Sequence, residues 1–340
     1  MAGHGKRMTH GVTINEVARE AGVSISTVSR IINGTAFVAD DKRRAVETAM
    51  QRLGFQPNYL ARTLITGRSM TVGVIAEDIV SPFYADVIRG IEHALLDTPY
   101  QPILNSGHWS TRHETRAIDT LIYRKVDALL LLGSTLGDDT LRDVAARVPL
   151  ILFGRNLPGL EAHCLTLDQR GAAAQATRHL IDLGHRRILH LYGPASQQDA
   201  QERREGYRDA LRANDLPLHP ELELPGDFVE AAAAQAVTHL LDARVPFTAV
   251  FAGNDQMAAG ARLALHRRGL RVPDDVSLIG FDDLPASAFT IPPLTTVRQP
   301  TYQIGQALAR HVLHVLAGEA SSLPDFDLPL ILRESTRPLR

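Results

Sequence analysis

The stretch VTINEVAREAGVSISTVSR, residues 12–30, decides how the N-terminal part of this 340-residue chain folds. Thr13 and Glu16 have the spacing of a capping box, in which side chains and backbone amides at a helix start satisfy one another. Gly22 is placed to end this first helix. Ser24 is placed to cap a second one. The stretch therefore predicts two short helices joined by a tight turn.

The two predicted helices have complementary faces. Their apolar positions are spaced to meet in a common core: Val17, Ala18, Ala21, Val28, Ile31 and Ile32. Ile25, Ser26 and Arg30 are left on the outer face of the second helix. This pattern is typical of a helix-turn-helix, whose second helix presents its N-terminal residues to the DNA major groove. The alternative is an ordinary two-helix hairpin on a protein surface.

Charge is unevenly distributed along the chain. The first 70 residues hold ten Lys and Arg against five Asp and Glu, a net charge of +5, and the remainder carries −7. A basic head favours DNA binding, because neutralising phosphates releases counterions. The charge excess is modest and gains weight from coinciding with the helix pair.

Composition restricts the class of protein. With 44% hydrophobic and 22% charged residues, the chain can build a substantial core. No apolar run approaches the length of a membrane span, and the polar N-terminus lacks the apolar stretch of a secretory signal. The single Cys164 excludes a disulfide framework within one chain and a cysteine-rich zinc site. We expect a cytoplasmic protein with no membrane segment.

The rest of the chain alternates between strands and helices. A third amphipathic helix is predicted over 40–53, and the short segment 57–70 carries apolar residues without an obvious local core. Strands are predicted at 71–75, 102–104, 128–132, 150–153, 188–192, 249–251 and 276–279. Helices are predicted at 83–96, 112–123, 170–183, 203–213, 231–241 and 255–268. This alternation predicts two parallel-sheet subdomains with a ligand-binding cleft between them.

The sequence offers little support for catalysis. It lacks the phosphate-binding glycine loops and the Gly-x-Ser-x-Gly nucleophile elbow. His311 and His314 lie three residues apart and are expected on a solvated helix face rather than on a metal. Asp282 and Asp283 are adjacent at a strand end, so their side chains should point apart. We expect no enzyme activity, no catalytic residues, no metal and no cofactor.

The ordered motifs resemble the LacI/GalR family of bacterial transcriptional regulators from residue 12 to about residue 337. They comprise the 12–30 stretch, Phe55–Leu64, Gly184–Ile188, Asn254–Ala258, Val272–Asp283 and Pro293–Val297. The resemblance implies a small all-α helix-turn-helix headpiece and an α/β core of the periplasmic-binding-protein type. It gives boundaries of 1–56 for the headpiece, 57–70 for a hinge helix and 71–340 for the core. Within the core, the N-subdomain spans about 71–167 and 299–327, and the C-subdomain about 168–298 and 328–340.

The resemblance also gives the headpiece and hinge residues roles on operator DNA. Ile25, Ser26 and Arg30 stand where family members read bases, and Arg30 suits a guanine. Four residues stand where phosphates are positioned: Ser24, Thr27, Ser29 and Asn33. In the hinge, Leu64 matches a leucine that wedges into the central minor-groove step, supported by Ala61.

In the cleft, Arg203, Asn254 and Asp282 match residues that hold sugar hydroxyls in sugar-responsive members. Three aromatic residues are expected to pack on a ring face: Phe83, Tyr84 and Phe228. Arg155 and Gln197 complete the expected effector site, although Gly154 replaces an acceptor common in the family, and Gln197 and Asp199 depart from purine-binding relatives. A sugar or sugar derivative is therefore favoured as effector.

We expect a homodimeric, ligand-responsive regulator of a palindromic operator, acting as a repressor of sugar-metabolism genes. Effector in the cleft would control docking of the hinge helices. Three alternatives remain open: a solute-binding protein of a sugar transporter, a nucleoside- or purine-responsive member of the same family, and a sugar-modifying enzyme.

Overall fold

A computed structural model describes residues 12–33, 38–55 and 67–339. The described chain divides into two compact units, one up to Ser69 and one from Met70 onward. Among the described residues, no helix is both long and apolar enough to cross a membrane.

The described part of the first unit contains three helices: α1 (Ile14–Glu20), α2 (Ile25–Asn33) and α3 (Asp40–Leu53). The Glu16 carboxylate accepts a hydrogen bond from the Thr13 backbone N at 2.7 Å. At the start of α2, Ser24 Oγ accepts from the Thr27 backbone N at 3.2 Å. Gly22 takes the left-handed conformation that separates α1 from α2, with φ +65°. The local signals in the 12–30 stretch thus produced the predicted helix pair.

The core of this unit is small and apolar. Its buried residues come from all three helices: Val17, Ala18, Val28, Val46 and Ala49. Ala21, Ile31 and Ile32 pack against this cluster, as expected. The headpiece therefore buries the predicted inner faces.

The second unit begins with a five-stranded parallel sheet. Its strands are β1 (Thr71–Ala76), β2 (Gln101–Ser106), β3 (Ala128–Leu132), β4 (Leu150–Phe153) and β5 (Cys164–Leu165). Their order across the sheet is β2-β1-β3-β4-β5. The helices that follow the first three strands are α4 (Pro82–Leu95), α5 (Thr111–Tyr123) and α6 (Asp138–Ala145).

A second sheet of six strands repeats the same winding. Its strands are β6 (Ile188–Tyr192), β7 (Glu223–Pro225), β8 (Ala249–Ala252), β9 (Ser277–Asp282), β10 (Thr295–Arg298) and β11 (Leu330–Ile331). The order is β11-β10-β9-β8-β6-β7, and only β11 runs antiparallel to its neighbour. Its helices are α7 (Gln169–Asp182), α8 (Gln198–Ala213), α9 (Glu230–Asp242) and α10 (Asp255–Arg267).

The chain crosses between the sheets three times. It passes from β5 to α7, and after β10 it returns to the first sheet as α11 (Thr301–Ala317). There Ile304 and Leu308 join the same buried cluster as Val72 of β1. It then crosses back to form β11 beside β10. Both sheets have their switch in strand order between the first and third strands, so their carboxyl ends define the expected ligand site. The predicted fold class is confirmed.

Several sequence expectations were incomplete or wrong. The alternation pattern missed four short or edge strands: β5, β7, β10 and β11. Helix α8 begins at Gln198, five residues before the predicted start. His311 is buried rather than solvated, because His163 Nδ1 and Ser321 Oγ lie within hydrogen-bond distance of its two ring nitrogens, at 2.9 and 3.0 Å.

Candidate functional site

The outer face of α2 is exposed as predicted. Ile25 is 51% exposed, and Ser26 and Arg30 are exposed beside it. Ser24 Oγ lies 2.8 Å from both Ser26 Oγ and Thr27 Oγ1, so the N-terminal turn of α2 carries a cluster of hydroxyls. The exposed hydroxyls of this turn, and the Arg30 guanidinium one helical turn further on, can donate hydrogen bonds to phosphates and base edges.

The structure gives less information about the remaining predicted DNA contacts. Ser29 is half-buried on α2. Asn33 is the last residue of α2, and its side chain lies outside the described part of the chain. Ala61 and Leu64 of the expected hinge also lie outside the described residues.

A cavity of about 160 Å³ lies between the two sheets of the second unit. Its lining draws on residues that follow strands in both sheets: Asp78, Ser81, Phe83, Tyr84, Trp109, Asp199, Arg203, Asp227, Phe228, Val229, Glu230, Asn254, Gln256 and Asp282. Six of the eight predicted effector residues are among them. Two parallel sheets therefore present the carboxyl ends of their strands to a common small cavity.

Arg203 and Asp282 form the buried polar centre of this cavity. Arg203 is 3% exposed and Asp282 is 5% exposed, and Arg203 Nη1 lies 3.7 Å from Asp282 Oδ1. Arg203 Nη1 also donates to the Gly253 carbonyl at 2.5 Å. The guanidinium lies over the Phe281 ring, 3.9 Å from its centroid, and 5.5 Å from that of Phe228. These contacts hold the Arg203 fork in one orientation.

Two glutamines outside the cavity lining complete the network. Arg203 Nε donates to Gln169 Oε1 at 2.9 Å, and Gln169 Nε2 donates to Gln299 Oε1 at 3.0 Å. Gln299 Nε2 then donates to Asp282 Oδ1 at 2.7 Å. Gln169 begins α7 just after one crossover, and Gln299 follows β10 at the next. The buried centre is thus joined to two of the three segments that connect the sheets, a link that the sequence did not reveal.

Burial controls the protonation of the acids near this centre. Burial raises the pKa of Asp282 to about 8, against the opposing effect of the Arg203 guanidinium. Burial also raises the pKa of Asp255 to about 6, although Ser287, Thr296 and the Leu284 amide donate to its carboxylate. Asp282 therefore exchanges a proton near neutral pH and can accept or donate a hydrogen bond to a ligand hydroxyl.

Asn254 is placed in the cavity by its role in the fold. It caps α10, with Oδ1 accepting from the Met257 backbone N at 2.8 Å. Its Nδ2 donates to the Phe228 carbonyl at 3.2 Å, which joins α10 to the loop before α9. An amide has two donor hydrogens and two acceptor lone pairs, so capacity for a ligand remains on both atoms.

Aromatic rings form the apolar walls of the cavity. Phe83 meets Tyr84 edge to face at a centroid distance of 5.2 Å. Trp109 lies 6.3 Å from Tyr84 and 6.2 Å from Phe228, so it bridges rings from the two sheets. Sequence reasoning missed Trp109, although it follows β2 at the ligand-binding edge and is the only tryptophan in the chain.

The position of Trp109 depends on a buried acid. Trp109 has a positive φ of 54°, and its backbone N donates to Glu77 Oε2 at 2.8 Å. Glu77 Oε1 is buried and has no hydrogen-bond partner among the described residues. Burial, together with the nearby Glu114 carboxylate, raises the pKa of Glu77 to about 7. Glu77 thus anchors the loop that carries the tryptophan.

The other two predicted effector residues lie elsewhere. Arg155 and Gln197 line a second cavity of about 510 Å³, together with Ser134, Gly154, Arg170, Ser196, Gln198, Gln201, Glu202 and Glu205. Arg155 donates to the Leu136 carbonyl and to Asp138 Oδ1, both at 2.5 Å, so its guanidinium is held by its own subdomain. Gln197 is 5% exposed, and its Nε2 has no partner among the described residues. The structure does not bring these two side chains into the aromatic cavity.

The adjacent acids at the end of β9 serve different partners, as expected. Asp282 faces Arg203, whereas Asp283 pairs with Arg298 at 2.7 Å and with Arg333 at 2.6 Å. Within the described ranges, no group of three or more His, Cys, Asp or Glu residues could hold a metal ion. The geometry is that of a binding site with one arginine, several acceptors and aromatic walls.

A DNA-binding headpiece and a two-sheet ligand-binding core define the class of ligand-responsive DNA-binding regulators. Two family models match the chain: bacterial regulatory proteins of the lacI family over residues 13–58, and a periplasmic binding protein-like domain over residues 177–336. The chain is 39% identical to the transcriptional regulator GalR of Escherichia coli K12 over 289 residues, 85% of this chain and 84% of GalR. It is 35% identical to the transcriptional repressor CytR of the same strain over 337 residues, 98% of this chain and 99% of CytR.

Solved structures agree with these relatives. The lac repressor dimer bound to operator and the anti-inducer ONPF matches with a TM-score of 0.85 and 28% identity, covering 96% of this chain and all of that one. The regulator CelR in complex with cellobiose matches with a TM-score of 0.71 and 35% identity, covering 95% of this chain and 99% of that one. The chain belongs to the LacI family of bacterial transcriptional regulators.

Proposed function

We propose that the protein is a cytoplasmic, homodimeric repressor of sugar-metabolism genes. Its affinity for a palindromic operator would depend on whether a ligand is bound in its cleft. The division into a 1–56 headpiece, a 57–70 hinge and a 71–340 core is part of this proposal. The observation that carries it is the Arg203–Asp282 centre inside an aromatic cavity, in a chain that also exposes Ile25, Ser26 and Arg30 on a capped α2.

On the operator, Arg30 would contact a guanine, and Ile25 and Ser26 neighbouring base edges. Ser24, Thr27, Ser29 and Asn33 would position the phosphates. Leu64, supported by Ala61, would wedge into the minor groove at the centre of the site. Unstacking one base step costs a few kcal/mol, which the additional contacts of the bent DNA offset.

In the aromatic cavity, Arg203, Asn254 and Asp282 would bind vicinal hydroxyls, and Phe83, Tyr84 and Phe228 would pack on the ring. Arg155 and Gln197 remain candidate contacts for a ligand that extends into the second cavity. Carboxylate and amide acceptors around an arginine fork suit a polyhydroxylated ring. We propose binding without turnover, because the described site contains no activated nucleophile.

Two exposed apolar patches support a dimer. Leu96 and Leu104 are exposed beside a groove at the β2 edge of the first sheet. Leu263 and the 91% exposed Ile291 border a second groove next to α10. Exposed apolar side chains that border a groove favour an association surface. The Ile291→Asp variant is therefore expected to raise the dimer dissociation constant at least about tenfold in sedimentation analysis, with Asp139→Asn as a surface control.

The function is tested with DNA selected from a random double-stranded pool by the purified protein. We expect enrichment of a palindromic site, and a change in its affinity when D-galactose, D-glucose or another sugar binds. Trp109 emission reports binding in the cavity directly, because it is the only tryptophan, and Trp109→Phe supplies the blank. Failure to enrich any site would favour a transporter-type solute-binding protein, and turnover of a bound sugar would favour an enzyme.

A further inference from the structure

The aromatic cavity is strongly acidic. Five acidic side chains line it: Asp78, Asp199, Asp227, Glu230 and Asp282. Arg203 is the only cation among its lining residues. Asp227 and Glu230 are exposed and carry negative charge at the solvent side of the cavity, whereas Asp282 is buried and its pKa of about 8 leaves it largely protonated at neutral pH.

The single cation is already engaged on each of its nitrogens. Arg203 Nε donates to Gln169 Oε1, Nη1 to the Gly253 carbonyl, and Nη2 to Asp199 Oδ2 at 3.4 Å. Phe281 and Phe228 cover the guanidinium. A phosphate or carboxylate ligand would have to displace these acceptors to obtain the bidentate contact that arginine offers to anions.

The second cavity supplies no spare cation either. Among its described lining, Arg155 pairs with Asp138 at 2.5 Å and Arg170 with Asp209 at 2.6 Å. Glu202 and Glu205 lie on the same wall. A phosphate group that entered the second cavity would therefore meet paired arginines and further carboxylates.

We propose that these carboxylates act as an anion filter, so that the effector is an uncharged, unphosphorylated single-ring sugar. The proposal rests on the sugar effector proposed above and names its class. Hydroxyls can donate to Asp199 and Asp282, whereas a phosphate dianion has no donor to offer. Like charges placed together across a binding surface are strongly unfavourable. A cavity of about 160 Å³ is small for a ligand site, which favours one ring.

The test compares parent sugars with their phosphate esters on the full-length protein. D-glucose, D-galactose, D-fructose and D-ribose are titrated beside their 6-phosphates, or the 5-phosphate for ribose, with Trp109 emission as the readout. We expect the ester of any sugar that binds to have a dissociation constant at least about tenfold higher than its parent. An ester that binds as tightly as its parent overturns the filter but leaves the sugar-responsive function intact.

A charge-reversal variant checks that the carboxylates cause the difference. The double variant Asp227→Lys with Glu230→Lys changes two exposed positions at the cavity. It should reduce the ratio of the ester's dissociation constant to that of the parent sugar at least about fivefold. Asp139→Lys, on the exposed surface away from the cavity, should leave this ratio of dissociation constants unchanged. An unchanged ratio of the two dissociation constants in the double variant contradicts the proposal.

Inorganic phosphate makes the test independent of the sugar's identity. If phosphate alone changes Trp109 emission with a dissociation constant below about 1 mM, ~4 kcal/mol of binding free energy, the filter does not exist, whether or not a sugar is found. If neither phosphate nor any sugar binds, the sugar effector proposed above fails and the filter fails with it, whereas binding of phosphate or of an ester overturns the filter alone.

Discussion

Arg203 Nη1 and Asp282 Oδ1 lie 3.7 Å apart in the buried centre of the cleft, and a chain of two glutamines joins the same two residues behind the cavity. Because those glutamines lie at the crossovers, hydrogen bonds link Arg203 and Asp282 to segments that connect the two sheets. A ligand shifts an equilibrium between two arrangements of the sheets only by its differential affinity for them.

Asp282→Asn should weaken effector binding while the protein stays folded. The amide keeps the size of the carboxyl but presents a different hydrogen-bond pattern to Arg203 and to the ligand. We expect a loss of at least about 30-fold in ligand affinity, equal to ~2 kcal/mol, by titration of Trp109 emission. Asp283→Asn at the neighbouring position, whose partners are Arg298 and Arg333, should keep most of the affinity. Equal losses in both variants would contradict the assignment.

The crossover glutamines, Gln169 and Gln299, should couple sugar binding to operator affinity, although neither lines the cavity. In Gln299→Leu, the sugar should bind within about fivefold of wild type, while its effect on operator affinity falls by ~1 kcal/mol or more. Gln306→Leu, which replaces a half-buried glutamine of α11 whose amide donates to Tyr302 Oη, is the control. A Gln299→Leu protein with an undiminished operator response would show that coupling takes another route.

The stability of the core should fall as the pH rises. Burial places the pKa of Glu77 at about 7 and that of Asp282 at about 8, above their unfolded values near 4. The folded protein therefore binds more protons than the unfolded chain. The free energy of unfolding that these two groups contribute is fully present below pH 4 and is lost as the pH rises through 7 and 8. We expect the Tm to drop by roughly 5 °C between pH 5.5 and 8.5. Glu77→Gln should flatten this dependence, and a Tm that rises over the range would contradict the burial argument.

Arg30→Ala should relax base preference rather than weaken all DNA binding equally. Loss of one bidentate guanine contact costs about 1–3 kcal/mol at a single position of the site. Competition between the selected operator and its single-base variants measures this. Arg52→Ala also removes a headpiece cation, one that pairs with Glu20, and should leave the preference unchanged. Equal loss on every variant sequence would make Arg30 a phosphate contact.

Leu64→Ala should weaken the selected operator and reduce its bend. The prediction rests on the sequence alone, since Leu64 lies outside the described residues. Loss of an apolar wedge is expected to reduce affinity about 10- to 100-fold and to shift the mobility of circularly permuted DNA fragments. Ile65→Ala is the neighbouring control. Unchanged affinity and bend in the Leu64 variant would rule out a wedge at this position.

Local chemistry made some elements predictable from sequence and left others hidden. Thr13, Glu16, Gly22 and Ser24 act on residues within three or four positions, so the headpiece helices followed from spacing alone. The short strand β5 and the edge strand β11 have two residues each, too few for any periodicity. Their positions depend on neighbours far away in the chain.

The candidate site shows the same division. Asp282 was found because it belongs to a motif, and Arg203 because its position matches a polar residue of sugar-responsive family members; the structure brings the two together. Trp109 was missed because its place in the cavity depends on a Glu77 contact across 32 residues. Arg155 was expected in the cavity, but Asp138 and the Leu136 carbonyl hold its guanidinium elsewhere, a contact that motif matching does not reveal.

Coupling between the cleft and operator binding is the most direct test of the whole account. The affinity of the full-length dimer for its selected operator is measured by fluorescence anisotropy with and without a saturating concentration of the sugar that changes Trp109 emission. We predict a change of at least about tenfold, absent in Asp282→Asn, and an equal reciprocal change in sugar affinity when operator is bound. A sugar that binds beside Trp109 and leaves operator affinity unchanged would contradict the account.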